Sequence, residues 1–304
     1  MRVAVVISTY NGEKYLVEQI DSILNQQKVE VELFIRDDGS SDGTIKILQE
    51  YENRFLNVHI EFGKNVGYSE SFLLALNMAK GFDYYSFGDQ DDFWEPCKLE
   101  RACSWLNDKE IKEKPALYYS NLCVTDENLR PYKVTSLEKR KKTLESVMMR
   151  RSIAGCTVVI NQKLKDEVSS LNWNKDMLKM GHDSLIISIC YALGGSVMCD
   201  DKAYIKYRQH GNNTSGSSHG LKARLKKEII GMRTRKGGES AIAHGIIQHY
   251  GDKISIDKKK SLNIIAKSQK SIVSRIKIVF SWKFTTGNII LTSVGKFKAL
   301  IGVL

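Results

Sequence analysis

At 304 residues, 42% hydrophobic and 27% charged, the chain has the composition of a globular protein and enough apolar material to bury a full core. Its six cysteines include no C-x-x-C pair, which excludes a zinc knuckle or a redox motif, and its longest uncharged run, Ser184 to Cys199, is broken by Gly194-Gly195 and too short for a bilayer span. The net charge of +11 is uneven: from Gly216 onward 18 Lys and Arg face 4 Asp and Glu, so a near-neutral body carries a strongly basic tail.

Met1 to Tyr10 turn polar after a short apolar run, which reads as a first strand and not as a secretory leader; a cytoplasmic protein is expected. Val3 to Ser8, Val31 to Ile35, Val58 to Phe62 and Tyr84 to Phe87 are short, rich in β-branched and aromatic residues, and bounded by turn formers. Between them Leu16, Ile20, Ile23 and Leu24, then Ile45 and Leu48, then Phe72, Ala75, Leu76 and Ala79 recur at helical spacing. This βαβαβαβ order predicts right-handed crossovers and a mostly parallel, Rossmann-like sheet flanked by helices. Pro96 opens a helix carrying Leu99, Cys103 and Leu106, and Ala116 to Val124 reads as a strand. Ser136 to Arg151 is basic and weakly patterned, a helix or a loop at the rim of the site. Ile153 to Ile160 is strand-like, Ser184 to Leu193 helical, and Ser196 to Cys199 a strand before Tyr204 to His210; beyond Ser215 helical signals take over.

Four polar clusters each follow a strand: Thr9-Tyr10-Asn11, Asp37-Asp38-Gly39-Ser40, Asn65-Val66-Gly67 and Asp89-Gln90-Asp91-Asp92. Parallel strands deliver their carboxyl ends to one edge, so the clusters converge on one crevice. Tyr10 suits stacking on a base and Asp38 suits accepting a pyrimidine imide N–H, although Asp38 and its neighbours equally suit a turn, and Asp42 a helix cap. Asp89-Gln90-Asp91 repels itself unless neutralised, and its oxygen ligands suit Mg²⁺ or Mn²⁺ bridging the phosphates of a nucleotide sugar, the alternative being a solvated acidic turn that caps the helix after Pro96. Asp183 is either a general base for an incoming hydroxyl or the cap of an apolar helix. Arg208 suits a bidentate phosphate contact, and His210 is either a further metal ligand or a structural imidazole.

Together Val5 to Asn11, Arg36 to Thr44, Asn65-Val66-Gly67, Asp89 to Trp94, His182-Asp183 and Tyr207-Arg208-Gln209-His210-Gly211-Asn212-Asn213 resemble family 2 glycosyltransferases over roughly residues 2 to 213. The resemblance implies a GT-A fold, an inverting mechanism, a divalent cation (Mn²⁺ or Mg²⁺) and a nucleotide-diphosphate sugar donor. Carried over by motif, Thr9, Tyr10 and Asp38 hold the nucleoside, with Asn11, Asn65, Gly67 and Arg208 also in the donor site. Asp89 and Asp91 form the D-x-D, and Asp183 is the base. His182 stands where many members carry Glu. The pattern after Arg208 is most similar to bacterial rhamnosyltransferase-like members, which puts dTDP-rhamnose ahead of UDP-hexoses as donor and makes a saccharide or lipid-linked saccharide the acceptor.

In the tail Ile265, Ile272, Ile276, Val279 and Phe280 share one helical face and Lys267, Lys270 and Lys277 the opposite one. That amphipathic helix either packs on the body or docks on anionic membrane, so peripheral membrane association is among the expected partnerships. A basic membrane- or nucleic-acid-binding adaptor is the main non-enzymatic alternative. Nucleic acid is not expected, because the basic residues follow an apolar stripe and no nucleic-acid-binding motif is present. A sugar-1-phosphate nucleotidylyltransferase needs a Gly- and Arg-rich loop after the first strand, where only Gly12 stands, and no G-x-G-x-x-G supports a dinucleotide enzyme. The expected division is a catalytic domain over 1–215, with a nucleotide-binding half to about 95 and an acceptor half over 96–215, followed by a basic helical extension over 216–304.

Overall fold

A computed structural model of the chain describes residues 1–137, 140–150, 153–211 and 230–304. They fall into two units, the first built from residues 1–137, 153–169 and 196–211, the second from the described parts of 138–152, 170–195 and 212–304. The boundary expected at 215/216, and Asn212 and Asn213 of the last motif, lie outside the described residues.

The first unit is organised by β1 (Arg2–Thr9), β2 (Glu30–Asp37), β3 (Val58–Phe62) and β4 (Tyr84–Gly88), joined by helices α1 (Leu16–Leu24), α2 (Thr44–Arg54) and α3 (Tyr68–Met78). All four strands are parallel, in the order β3-β2-β1-β4, as the alternating pattern predicts. The centre of β1, Val3 to Ile7, is fully buried on both faces. Val3, Val5 and Ile7 pack with Leu16, Ile20 and Ile23 of α1 and Leu48 of α2. Alternation turns Ala4, Val6 and Ser8 the other way, where the Ser8 hydroxyl bonds the Ser71 hydroxyl of α3 at 2.7 Å.

Beyond β4 the sheet becomes mixed. It continues through β8 (Val159–Asn161), β6 (Ala116–Thr125), β9 (Ser196–Arg208) and the two-residue β5 (Phe93–Trp94), with β7 (Pro131–Val134) on the flank of β6. β8 runs antiparallel to β4 and β6, β9 parallel to β6, and β5 antiparallel to β9. The short β5 places the turn after β4 directly against β9. Helix α4 (Lys98–Leu106) starts two residues after Pro96 and buries Leu99, Ala102, Cys103 and Leu106 in the same core. Helix α6 (Gln162–Ser170) follows β8 without a break.

Three sequence expectations are corrected here. Ile153 to Ile160 is not one strand, because Gly155–Thr157 coil into a 3₁₀ turn and leave only Val159–Asn161 in the sheet. Ser196 to Arg208 is a single strand and not two, its register shifting beside Asn121 so that pairing with β6 persists. The basic tail helix is two helices, as the second unit shows.

That second unit contains α5 (Leu144–Met148), α7 (Lys175–Leu178), α8 (His182–Ala192), α9 (Gly238–Tyr250), α10 (Ile256–Lys267), α11 (Ile272–Phe280) and α12 (Ile289–Leu300). Within the weakly patterned Ser136 to Arg151, only α5 is regular; Glu138, Lys139 and Arg151 lie outside the described residues. The helix expected to carry Ile265 and Ile272 on one face ends at Lys267, and Ser271 caps a new one by accepting the Ser274 amide at 3.2 Å. Ile265 is fully buried, while Ile272 is 69% exposed. Among the described residues no helix is long and apolar enough to cross a membrane.

Candidate active site

The parallel register sets Thr9 beside Asp37 and Ile7 beside Gly88, so the segments after β1, β2 and β4 leave the sheet at one edge. Side chains then tie them together. The Asp37 carboxylate, 1% exposed, accepts the Thr9 hydroxyl at 3.1 Å, the Ser40 amide at 2.9 Å and the Ser40 hydroxyl. Asn11, in the left-handed region at φ 48°, accepts the Ser41 amide at 2.8 Å while its own amide donates to the Ser40 hydroxyl at 2.9 Å. Gly39 turns the chain at φ +83°, and a Cβ there would press on the Asn65 nitrogen at 3.2 Å.

Asp38 is 2% exposed and holds three donors: Arg36 Nη1 at 2.6 Å, and the amides of Val66 and Gly67 at 2.9 Å each. The Asn65 to Gly67 loop is thereby pinned to the end of β2. Arg36 also donates to Ser71 Oγ and the Lys64 carbonyl, and its Nε lies 3.4 Å from Glu61. In this structure the carboxylate expected to meet a base is therefore engaged with protein donors, with acceptor capacity left on Oδ2. Tyr10, 50% exposed, stands at the open edge. Asn65 and Gly67, in the loop held to Asp38, are exposed.

The acidic turn is clamped from two sides. Gln90 accepts the Tyr10 amide at 2.8 Å and donates to the Tyr10 carbonyl at 3.1 Å, so its side chain replaces a strand partner at the end of β1. From β9, the 3%-exposed Arg208 donates to the carbonyls of Asp91 (2.9 Å) and Glu127 and to the Glu18 carboxylate, and its guanidinium lies 4.4 Å from the Tyr15 ring centre. The bidentate phosphate contact expected of Arg208 is not what its donors do here; they fix the acidic turn by its backbone. A phosphate would have to exchange with one of these acceptors.

His210 Nε2 lies 2.7 Å from Asp91 Oδ2, with both side chains partly exposed, and the imidazole leans on Tyr15 at 4.9 Å between ring centres. Two atoms bound side by side to one Mn²⁺ or Mg²⁺ at about 2.1 Å stand about 3 Å apart, so this oxygen–nitrogen pair fits such an ion. Beneath it, Asp89, Asp92 and Cys156 bring ligand atoms within 4.8 Å of one another. That inner group is different in kind. Burial first, then the charges of Asp89 and Asp91, push the Asp92 carboxyl well up, and burial with Asp92 and Asp89 does the same to the Cys156 thiol. A protonated carboxyl and a protonated thiol suit a hard cation poorly. Asp89 belongs to this inner group, while Asp91 and His210 form a separate oxygen–nitrogen pair; among the described residues the expected trio Asp89, Asp91 and His210 is not a group whose ligand atoms all come within 4.8 Å of one another. Under the turn, Lys98 donates to Ser86 Oγ at 2.9 Å with its ammonium position 3.4 Å from the Trp94 ring centre, and burial brings its pKa down to about 7.

Asp183 belongs to the second unit, in the first turn of α8. Gly181, at φ +98°, is the N-cap and makes no side-chain cap bond, so Asp183, two residues on and inside the helix, is not the cap weighed for it. Asp183 is 4% exposed and its Oδ1 accepts the Ser184 amide at 2.7 Å. A carboxylate there is favoured by the helix dipole.

Glu18, Tyr15 and Cys156 escaped the sequence reading as parts of this arrangement, while Asp37, Gln90 and Asp92 stood in the clusters expected to converge here but without a role of their own. Gln90 and Asp92 sat inside the acidic motif that was read, whereas Cys156 and Tyr15 carry no local signal: only the path of β8 and α1 brings them in.

Comparison with known proteins follows the same lines. The dTDP-rhamnosyl transferase RfbG of Shigella flexneri is 28% identical over 231 residues, covering 73% of this chain and 77% of that protein. The putative teichuronic acid biosynthesis glycosyltransferase TuaG of Bacillus subtilis (strain 168) is 29% identical over 176 residues, 56% of this chain and 66% of TuaG. Among solved structures, S. aureus TarS 1–349 in complex with UDP-GlcNAc superposes with a TM-score of 0.56 at 18% identity, covering 99% of this chain and 90% of that one. At such identity the likeness speaks for the fold, a GT-A-like mixed sheet flanked by helices. The profile of Glycosyl transferase family 2 matches residues 4–162, more than half of the 304, and on this ground the chain belongs to family 2 of the glycosyltransferases, with a rhamnosyltransferase-like sequence.

Proposed function

We propose that the chain is an inverting, divalent-metal-dependent hexosyltransferase of bacterial surface polysaccharide synthesis. Its donor in this reading is dTDP-rhamnose or a UDP-hexose, its acceptor a saccharide or lipid-linked saccharide, and its place the inner face of the cytoplasmic membrane. The observation that carries the reading is the 2.7 Å approach of His210 to Asp91 at the edge where β1, β2 and β4 end. By their names, RfbG supports dTDP-rhamnose as donor and TuaG supports a role in polysaccharide biosynthesis of the teichuronic acid kind.

Thr9, Tyr10, Asn11, Asp38, Asn65 and Gly67 hold the nucleoside end of the donor, with Tyr10 stacking on the base. Asp89, Asp91 and His210 would hold Mn²⁺ or Mg²⁺, which would supply positive charge to the departing diphosphate. Arg208 and Gln90 keep that turn in place without touching the sugar. Asp183 accepts the proton of the acceptor hydroxyl as its oxygen attacks the anomeric carbon, and the nucleoside diphosphate leaves from the opposite side in one displacement. The hydroxyl proton ends on Asp183 and the C–O bond to the diphosphate is the one broken.

The test is transfer from a panel of nucleotide sugars, with the anomeric configuration of the product read by NMR. Inversion from dTDP-rhamnose or a UDP-hexose, and an Asp183→Asn variant that binds donor yet transfers nothing, are the expected results. Retention of configuration, or full transfer by Asp183→Asn, would refute the mechanism.

A further inference from the structure

Helices α11 and α12 wear their apolar faces outward. In α11 the residues turned to the packed side are Ser274 and Ile278, while Ile272 (69%), Val273 (61%), Ile276 (47%) and Phe280 (82%) are exposed. Ile272, Ile276 and Phe280 succeed one another every four residues, so they form one stripe. In α12 the buried residues are Gly295 and Ala299, and a Cβ at Gly295 would meet the Met149 carbonyl at 3.0 Å, which shows how tightly that side is seated. Its opposite side carries Ile289 (86%), Ile290 (73%), Phe297 (52%) and Leu300 (54%). Trp282, in the link between the two helices, is 76% exposed.

Together these nine side chains expose on the order of 1,000 Å², well beyond the singly scattered apolar residues that are normal on a monomer's surface. Charge says what covers it. Residues 258–304 hold ten Lys and Arg and no Asp or Glu. Lys277 is exposed beside the α11 stripe, and Lys296 lies next to Phe297 on α12. An acidic protein groove would match the lysines and a neutral apolar one the isoleucines. An anionic bilayer matches both, by taking apolar side chains to the depth of the headgroups and leaving ammonium groups among the phosphates.

We propose that the outward faces of α11 and α12, with Trp282 between them, form a docking surface for anionic phospholipid membrane. The inference sharpens the membrane side of the proposed function, but its evidence is independent of the donor site. Phe280, Trp282, Ile289 and Ile290 enter the interface, and Lys277 and Lys296 select anionic lipid.

The experiment is co-sedimentation of the full chain with phosphatidylglycerol-containing and with pure phosphatidylcholine vesicles, without donor or acceptor. Binding should favour the anionic vesicles by at least about tenfold and weaken with salt. The Phe280→Ser/Trp282→Ser double variant should lose at least about tenfold of that binding, while keeping its unfolding midpoint and its metal-dependent nucleotide binding. Because both side chains are largely in water, their replacement leaves the packed faces intact. Equal partition onto both lipids, or undiminished binding by the double variant, would overturn the proposal. So would a concentration-dependent dimer in solution that the double variant dissolves, since a second copy would then cover the face. Failed docking with intact nucleotide binding would leave the transferase reading standing, and the converse result would leave the docking surface standing.

Discussion

Replacing Asp38 by Ala removes the anion that holds the end of β2 to the Asn65–Gly67 loop, and the structure sets the size of the effect. The Arg36–Asp38 pair has side chains only 4% and 3% exposed, at 2.6 Å. Removing one partner of a buried pair costs about 3–5 kcal/mol, chiefly because the other charge is stranded. Arg36 is not wholly stranded, since it keeps Ser71 Oγ at 3.0 Å, the Lys64 carbonyl at 3.1 Å and Glu61 at 3.4 Å. The lower end, about 3 kcal/mol, is therefore expected. Asp38→Asn, which keeps one acceptor oxygen but turns an NH₂ toward a donor, should cost about 2 kcal/mol. Urea unfolding gives the free energies, and hydrogen exchange reads the local effect: the Val66 and Gly67 amides, donors to Asp38 at 2.9 Å, should exchange faster in both variants. An Asp38→Ala variant within about 1 kcal/mol of the parent, with those two amides still protected, would refute the strap.

Other perturbations test other parts. Burial pushes the Glu239 carboxyl of α9 up from its ordinary 4.5 to about 7, against the weaker pull of Lys298 and Arg235. Its contribution to stability is then complete below about pH 4.5, declines as the unfolded chain ionises first, and is gone above about pH 7. Glu239→Gln should flatten that decline and stabilise the protein by about 2–3 kcal/mol at pH 8, read from urea midpoints across pH; an unchanged pH profile contradicts it. At Gly12 a Cβ would lie 2.5 Å from Gln90 Oε1, so Gly12→Ala should displace the Gln90 clamp from Tyr10. Gly12→Ala and Gln90→Ala should each weaken metal-dependent nucleotide binding several-fold, and the double variant no more than the worse single one; additive losses would separate the two residues. Arg208→Lys keeps the charge but loses the fork that reaches Asp91, Glu127 and Glu18, and should raise the Mn²⁺ concentration needed for half-maximal nucleotide binding several-fold while leaving nucleotide affinity at saturating Mn²⁺ nearly unchanged. Equal losses in both titrations would mean that Arg208 contacts the donor itself.

The parallel half of the sheet was legible because each strand announced itself twice, by a β-branched or aromatic run and by the polar turn that followed it. Thr9, Asp38, Asp89 and Asp91 were placed at one edge by topology alone, and the parallel pairing of β1 with β2 and β4 accounts for it. Less legible was whatever depends on distant pairing. Phe93 and Trp94 are a strand only because Lys206 and Ile205 of β9 lie beside them. Val159 to Asn161 continues a longer apolar run, but the turn at Gly155 takes the rest of that run out of the sheet. Periodicity carried Ile265 and Ile272 across a helix break because Ser268 to Ser271 contain neither Gly nor Pro to mark it. The direction of the α11 stripe was also beyond the sequence, since an apolar face at period 3.6 looks the same whether it meets a core or water. Arg208 was found as a residue but not as a job: a buried guanidinium serving backbone carbonyls and one meeting phosphate leave the same letter in the chain.

The most direct test of the metal site is calorimetric titration of nucleotide diphosphate into the protein with Mn²⁺ and with excess chelator, repeated for Asp91→Asn and for His210→Ala. Binding should require the ion in the parent and fall by at least about tenfold in each variant, since each removes one of two adjacent ligand atoms. Nucleotide binding of equal strength with chelator, or ion-dependent binding untouched by both substitutions, would contradict it.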